Sequence, residues 1–254
     1  INRPFDARTV YRRAFNTIRL YAKQRRLVRM VSAQTRKQEH NTTMLVNVLS
    51  QIVEFRNGES GSHVRHIRIL TEKIMAQLLR KTDKYSLSSE EQDNITLASV
   101  LHDIGKIAID EKILNKPGRL TPEEFAVIKT HTTEGAALLH RLENFDTEPL
   151  LQTACDIARW HHERWDGRGY PDGLAGDDIP IGAQLVSLAD VYDALTSERC
   201  YKKAFPHEKA VQMILGGECG AFNPLLLECL KDIEGSLQAE LKKDYQSDPA
   251  ELEV

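Results

Sequence analysis

The chain has little that would cross-link it or anchor it in lipid. Only four of its 254 residues are cysteine (Cys155, Cys200, Cys219 and Cys229), and none stands in a CxxC spacing. Cys155 and Cys229 fall in apolar helical patterns. The four therefore read as reduced thiols of an intracellular, cytoplasmic protein, which excludes a disulfide scaffold and a thiolate zinc site. No apolar run approaches the roughly 18 residues that a membrane span needs, and no signal peptide is present. Strand alternation is missing beyond the first few residues, as are internal repeats and low-complexity tracts. A P-loop glycine spacing is missing too, so phosphate is not expected to sit in a glycine cradle. The net charge of −3 gives no global bias toward nucleic acid or membrane. The chain begins at Ile1 and reads as a piece of something longer.

What is present is helix periodicity, and the expected fold class is all-α. Charge is uneven along it. Residues 1–40 carry eleven Lys/Arg against Asp6 and Glu39, and residues 231–254 carry three Lys against seven acids. A basic helix follows the turn at Ile1–Asp6, with a narrow apolar stripe of Val10, Ala14, Ile18, Tyr21, Val28 and Val31. From residue 41 the pattern strengthens. Leu45, Val48, Ile52 and Phe55 are spaced three-four-three, a heptad-like seam whose next position is Glu59. A helix over about 62–81 puts His63 on the face of Ile67, Leu70 and Ile74, within about 40° on the helical wheel. His66 lies nearer the edge of that face and reads as a satisfied or half-exposed histidine. Ser88 and Glu91 fit a capping box, and Thr121-Pro122-Glu123-Glu124 is a strong helix start.

Five of the nine histidines end or continue an apolar face: His63, His102, His131, His161 and His162. Asp103, Asp190 and Glu59 are placed alike. Any one alone is an ordinary hydrogen-bonded core residue. Eight together on separate helices, mostly at helix ends, are costly to bury without a cation. A divalent cluster needs neutral imidazoles and ionised carboxylates, and this set supplies both. Mixed N/O ligation without thiolate fits open iron, manganese or similar sites. Asp103 is the natural bridge, since a carboxylate spans two metals about 3.5–4 Å apart, a pair that lowers the pKa of water and clamps a phosphoryl group. Lys106, Arg199 and Lys202 are placed to neutralise phosphate charge, although each alone is also an ordinary surface cation.

Two segments carry a family resemblance: His102-Asp103-Ile104-Gly105-Lys106, and His161-His162-Glu163-Arg164-Trp165-Asp166-Gly167-Arg168-Gly169-Tyr170-Pro171. Together with Glu54–His63, Lys129-Thr130-His131 and Ala189-Asp190-Val191-Tyr192-Asp193-Ala194-Leu195-Thr196, they resemble the HD-GYP branch of the HD phosphohydrolases over about residues 41–235. The resemblance implies an HD-type helical bundle preceded by a long linker helix. It implies a bacterial signalling hydrolase, a metal-dependent phosphodiesterase that opens cyclic di-GMP to pGpG or GMP.

Carried onto this chain, the resemblance makes Glu59, His63, His102, Asp103, His131, His161, His162 and Asp190 the ligands of two or three divalent metals. Glu59 is the residue of the three-metal type. Iron or manganese is expected, with nickel, cobalt or zinc as alternatives. Lys106 would lie by the scissile phosphate, Arg199 and Lys202 would hold substrate phosphates, and Gly169, Tyr170 and Pro171 would shape the adjoining wall and dock a partner protein. Asn223 stands where the family commonly has Asp, a departure outside the site.

Ile1–Asp6 and the following helix resemble the tail of a response-regulator receiver domain. The implied organisation is a receiver tail with basic linker helix (1–40), the HD-GYP domain (41–235) and an acidic tail (236–254). A homodimer through the N-terminal helices is expected, with helix motion tuning metal occupancy, and neither nucleic-acid nor membrane partners. Two other readings stay open: a catalytically silent docking module, and a phosphohydrolase of another cyclic dinucleotide or nucleotide.

Overall fold

The structure, a computed structural model, describes residues 6–57, 62–197 and 204–246. Among them are ten α-helices, four short 3-10 turns and no strand. The helices are α1 (Ala7–Asn57), α2 (Ser62–Lys81), α3 (Ser89–Ala98), α4 (Glu111–Leu114), α5 (Pro122–Lys129), α6 (His131–His140), α7 (Pro149–Trp160), α8 (Ile181–Thr196), α9 (His207–Leu215) and α10 (Pro224–Gln246). The chain divides into two compact units, Ile1–Leu45 and Val46–Val254. The strand end expected at residues 1–4 lies outside the described residues. No helix of the described residues is long and apolar enough to cross a membrane.

Local chemistry explains the helix starts. Asp6 opens α1 by accepting from the Arg8 and Thr9 amides. Ser88 with Glu91 and Thr121 with Glu124 both form complete capping boxes. Pro122 occupies the first turn of α5, where its missing N–H costs nothing. Glu124 also pairs with Lys116 at 2.6 Å, tying α5 to the preceding loop.

The core of the second unit is built around α2. Its Ile67, Leu70, Ile74 and Leu78 are fully buried, together with Ile157 of α7, Leu185 and Leu188 of α8, and Leu226 and Leu230 of α10. Cys229 is buried among them, and the Cys155 thiol donates to the Ala136 carbonyl.

The structure gives α1 two stripes, of which the heptad-like one is outward. Leu45, Val48, Ile52 and Phe55 do not face the core; Phe55 is 87% exposed. The inward residues are Val46, Ser50, Val53 and Glu54. At about 100° per residue the two stripes lie on nearly opposite sides of the helix. The heptad pattern was real, but it marks the outward face. The end of α1 is fastened through Arg56, which donates to the carbonyls of Ile107 and Ile109, while the Asn115 amide donates to the Arg56 carbonyl.

One backbone contact positions the site. A Cβ built on Gly105 would lie 1.9 Å from the His131 carbonyl oxygen and 2.4 Å from the Gly135 nitrogen. The turn holding His102 and Asp103 therefore rests directly on the first turn of α6. Gly105→Ala should lower unfolding stability by about 2 kcal/mol or more, because no side chain can move aside. Gly235→Ala has open space at its Cβ and lies inside α10, so a gain of up to about 1 kcal/mol is expected. Urea unfolding of both variants checks the pair; equal effects would contradict the close approach.

Candidate metal centre

Four helix ends and the middle of a fifth helix deliver the side chains. His63 sits in the first turn of α2. His102 and Asp103 occupy the junction between two 3-10 turns after α3. His131 opens α6, with Thr130 between it and the end of α5. His161 caps the C-terminus of α7, with His162 next. Asp190 comes from α8. Helix ends allow neighbouring residues to converge, and His161 and His162 do so, with ring centroids 4.1 Å apart.

The donor atoms form two triads. His63, His102 and Asp103 each offer an atom within 4.8 Å of the others, and so do His131, His161 and His162. Asp103 links the triads. Its Oδ2 lies 3.3 Å from His102 Nε2, while its Oδ1 lies 3.3 Å from His131 Nε2 and 3.9 Å from His161 Nε2. Lys106 Nζ is 2.6 Å from Oδ2. Asp190 Oδ1 lies 3.9 Å from His63 Nε2.

The imidazoles are aimed from behind. Nδ1 of His102 faces the Ser99 carbonyl at 2.8 Å, Nδ1 of His131 the Ile128 carbonyl at 2.7 Å, and Nδ1 of His161 the Ile157 and Ala158 carbonyls at 3.0 and 3.1 Å. A carbonyl only accepts, so each Nδ1 carries the proton and each Nε2 presents a lone pair to the centre. Nδ1 of His63 instead donates to the Asp193 carboxylate at 2.6 Å. Nε2 of His102 and Oδ1 of Asp103 are buried without a hydrogen-bond partner. Such atoms are expensive to bury unless a cation takes them, so the donor set fits divalent metal.

The electrostatics agree. Burial holds His161 well below the usual imidazole pKa, helped by His162 and His102. Burial also lowers His162 to about 4, with Asp190 opposing and His131 assisting. His131 is lowered by burial against the pull of Asp103. His102 differs: burial is the largest effect and lowers it, but the charge and hydrogen bond of Asp103, with the charge of Asp190, together raise it. Burial would raise Asp103, yet Lys106, His102 and His131 keep it well below the carboxylate range. The set is thus mainly neutral imidazole around an ionised carboxylate, the state that ligation requires.

The loop beside the centre is pinned by a residue to which the sequence reading gave no role. Glu163, buried, accepts from the backbone amides of Asp172 and Gly173 at 2.7 and 2.9 Å. Asp172 pairs with Arg159 and accepts from Trp160 Nε1. A Cβ on Gly169 would lie 2.4 Å from Glu163 Cα, so only glycine fits there. The Tyr170–Pro171 bond is cis, and the Tyr170 ring stacks on His162 at 4.8 Å. Burial, then the charges of Asp103 and Asp190, hold the Tyr170 phenol un-ionised.

Glu54 was also missed as an inward carboxylate; its Oε1 lies 3.9 Å from His63 Nε2. Following Val53 rather than the heptad seam would have found it. Among the expected site residues, Glu59, Arg199 and Lys202 lie outside the described residues.

With this geometry in hand, comparison with known proteins is decisive for the family. A model described as "HD domain" matches residues 47–218. The chain belongs to the HD domain family. It is similar to a probable cyclic di-GMP phosphodiesterase of Vibrio cholerae, 43% identical over 72% of this chain and 42% of that protein. It is also similar to 3'3'-cGAMP-specific phosphodiesterase 2 of the same organism, 40% identical over 73% of this chain and 34% of that protein. The cyclic di-GMP phosphodiesterase response regulator RpfG of Xanthomonas campestris is 36% identical over 87% of this chain and 54% of that protein. The HD chain thus spans about a third to a half of the length of these relatives. In fold it resembles Bd1817, an HDG"Y"P protein from Bdellovibrio bacteriovorus, with a TM-score of 0.52 at 22% identity, covering 78% of this chain and 64% of that one.

The lowered imidazoles set a pH dependence. In the unfolded chain they protonate near pH 6.5, in the fold only near 4 for His162. The unfolded state then binds more protons, so stability is full above about 6.5 and is lost as the pH falls toward 4, by on the order of 3 kcal/mol from His162. His102, raised, works in the opposite direction. Urea unfolding of chelator-treated protein at pH 7.5 and 4.5 should show the loss, and His162→Gln should reduce it. An equal loss in both proteins would contradict the assignment.

Proposed function

We propose that this HD domain is a cytoplasmic, metal-dependent phosphodiesterase that hydrolyses cyclic di-GMP to pGpG or GMP. The observation that carries the reading is the Asp103 carboxylate standing between two imidazole-bearing triads. The proposed ligands are His63, His102, Asp103, His131, His161, His162, Asp190 and Glu59, for two or three metals. Iron or manganese suits the N/O set, with nickel, cobalt and zinc as alternatives. Divalent cations in such a site activate water and neutralise phosphoryl charge.

The chain's own groups do the rest. Lys106, already 2.6 Å from Asp103, is placed to donate to a non-bridging phosphate oxygen as charge builds on it. Arg199 and Lys202 are assigned the flanking phosphates. Asp103 stays ionised throughout because Lys106 and the imidazoles stabilise its charge. Tyr170, stacked on His162 and un-ionised, offers an apolar face with a neutral hydroxyl and closes one side to water. We assign residues 41–235 to the catalytic domain, 1–40 to a receiver tail and linker, and 236–254 to an acidic tail. The likeness to a response regulator over 87% of the chain supports an upstream receiver. The Gly169–Pro171 loop is the proposed docking point for a partner protein.

A second substrate has a specific observation in its favour: a relative 40% identical is named for 3'3'-cGAMP. Manganese- or iron-loaded protein should cleave cyclic di-GMP, and Asp103→Asn should reduce turnover at least 1,000-fold, an estimate from the loss of both the bridge and the Lys106 partner. Chromatography of products from cyclic di-GMP, 3'3'-cGAMP and linear pGpG ranks the substrates. Faster cleavage of 3'3'-cGAMP would transfer the assignment to it, and unchanged turnover in the variant would overturn it.

The exposed Leu45–Phe55 stripe supports a homodimer through α1. Val48→Cys should cross-link across the seam under oxidation, whereas Asn47→Cys, about 100° round the helix and off the seam, should not. Sedimentation showing a monomer, with no cross-link at residue 48, would dismiss the dimer.

A further inference from the structure

Asp193 takes no place among the proposed ligands, yet its surroundings are unlike those of any other carboxylate among the described residues. It is 1% exposed. Its Oδ2 accepts from His63 Nδ1 at 2.6 Å and its Oδ1 from His66 Nδ1 at 2.6 Å. The Ser197 hydroxyl adds a third bond to Oδ1 at 2.9 Å. Burial would raise its pKa, but the two imidazole hydrogen bonds keep it ionised.

Asp193 lies one turn after Asp190 on α8. Asp190 approaches His63 at Nε2 and Asp193 holds it at Nδ1, so one helix brackets both ends of one imidazole. Nδ1 of His102, His131 and His161 is instead backed by neutral carbonyls. A carboxylate behind an imidazole fixes its tautomer more firmly and makes Nε2 a better donor than a carbonyl does.

Resting on the metal-dependent reading above, we propose that Asp193 is a positioning residue that makes the two metal positions unequal. It sets the affinity of the position served by His63, His102 and Asp103, and leaves the His131, His161 and His162 position unaffected.

The chemistry predicts what a near-isosteric change does. In Asp193→Asn one oxygen remains and one amide now donates. The amide cannot serve two Nδ1–H donors. One imidazole must switch to the other tautomer, and in His63 that points a proton, not a lone pair, at the metal. His66→Gln supplies an acceptor for the new amide, so the double variant restores the His63 contact.

The test is binding of Mn(II) alone to the chelator-treated chain, followed by equilibrium dialysis and electron paramagnetic resonance, without substrate. The wild type should bind at least two equivalents. Asp193→Asn should weaken one of them by 10–100-fold, the usual range for such a partner, and leave another unchanged. Adding His66→Gln should recover part of the loss. Unchanged binding in Asp193→Asn, or equal weakening of every equivalent in a folded variant, overturns the proposal.

If Asp193→Asn fails to fold, 15N spectra of the imidazoles in the unaltered, zinc-loaded chain decide instead. They should show His63 protonated at Nδ1 and metallated at Nε2; the opposite tautomer overturns it. A chain that binds manganese as described but cleaves no cyclic dinucleotide removes the functional reading while leaving this one standing.

Discussion

The centre depends on a contact between two stretches of bare backbone. Gly105 lies so close to the His131 carbonyl and the Gly135 nitrogen that no side chain fits between them. That approach sets the distance from the Asp103 turn to the start of α6, and hence from Asp103 to His131. Every other ligand-type residue among those described is brought to this pair by a helix whose apolar face is buried elsewhere. The site is therefore a by-product of core packing around α2, α7 and α8, with helix ends used as the delivery points.

Desolvation then selects the protonation state. Burial keeps His131, His161 and His162 neutral near neutral pH; the carboxylate beside them stays ionised because Lys106 and His102 oppose its burial. A hydrophobic surround thus creates a polar centre that is incomplete without positive charge. The backing groups behind the rings point the lone pairs inward, three by carbonyls left over at helix termini and one by Asp193.

The all-α class, the capping boxes at Ser88 and Thr121, the span of α2 and the gathering of histidines at helix ends were legible in the sequence, because each follows from local periodicity or cap chemistry. The face of α1 was not. Leu45, Val48, Ile52 and Phe55 form the cleaner apolar pattern, but pattern strength does not say which of two stripes meets the core. That misdirection hid Glu54. Glu163 and Asp193 escaped for another reason: their role is to hold other residues, and nothing in a spacing of residues reports a long-range hydrogen bond. His66, taken as satisfied or at an edge, is both buried and bonded to Asp193.

Three consecutive residues at the end of α7 do separate jobs. His161 and His162 face the centre, and Glu163 grips the loop amides nine and ten residues further on. The loop wall and the imidazole pair therefore share a single reading frame. A one-residue insertion in α7 would rotate all three by about 100° and dismantle both together. Segments such as 82–87 and 141–148 carry none of these donor atoms, so a change of length there would leave the three residues in register.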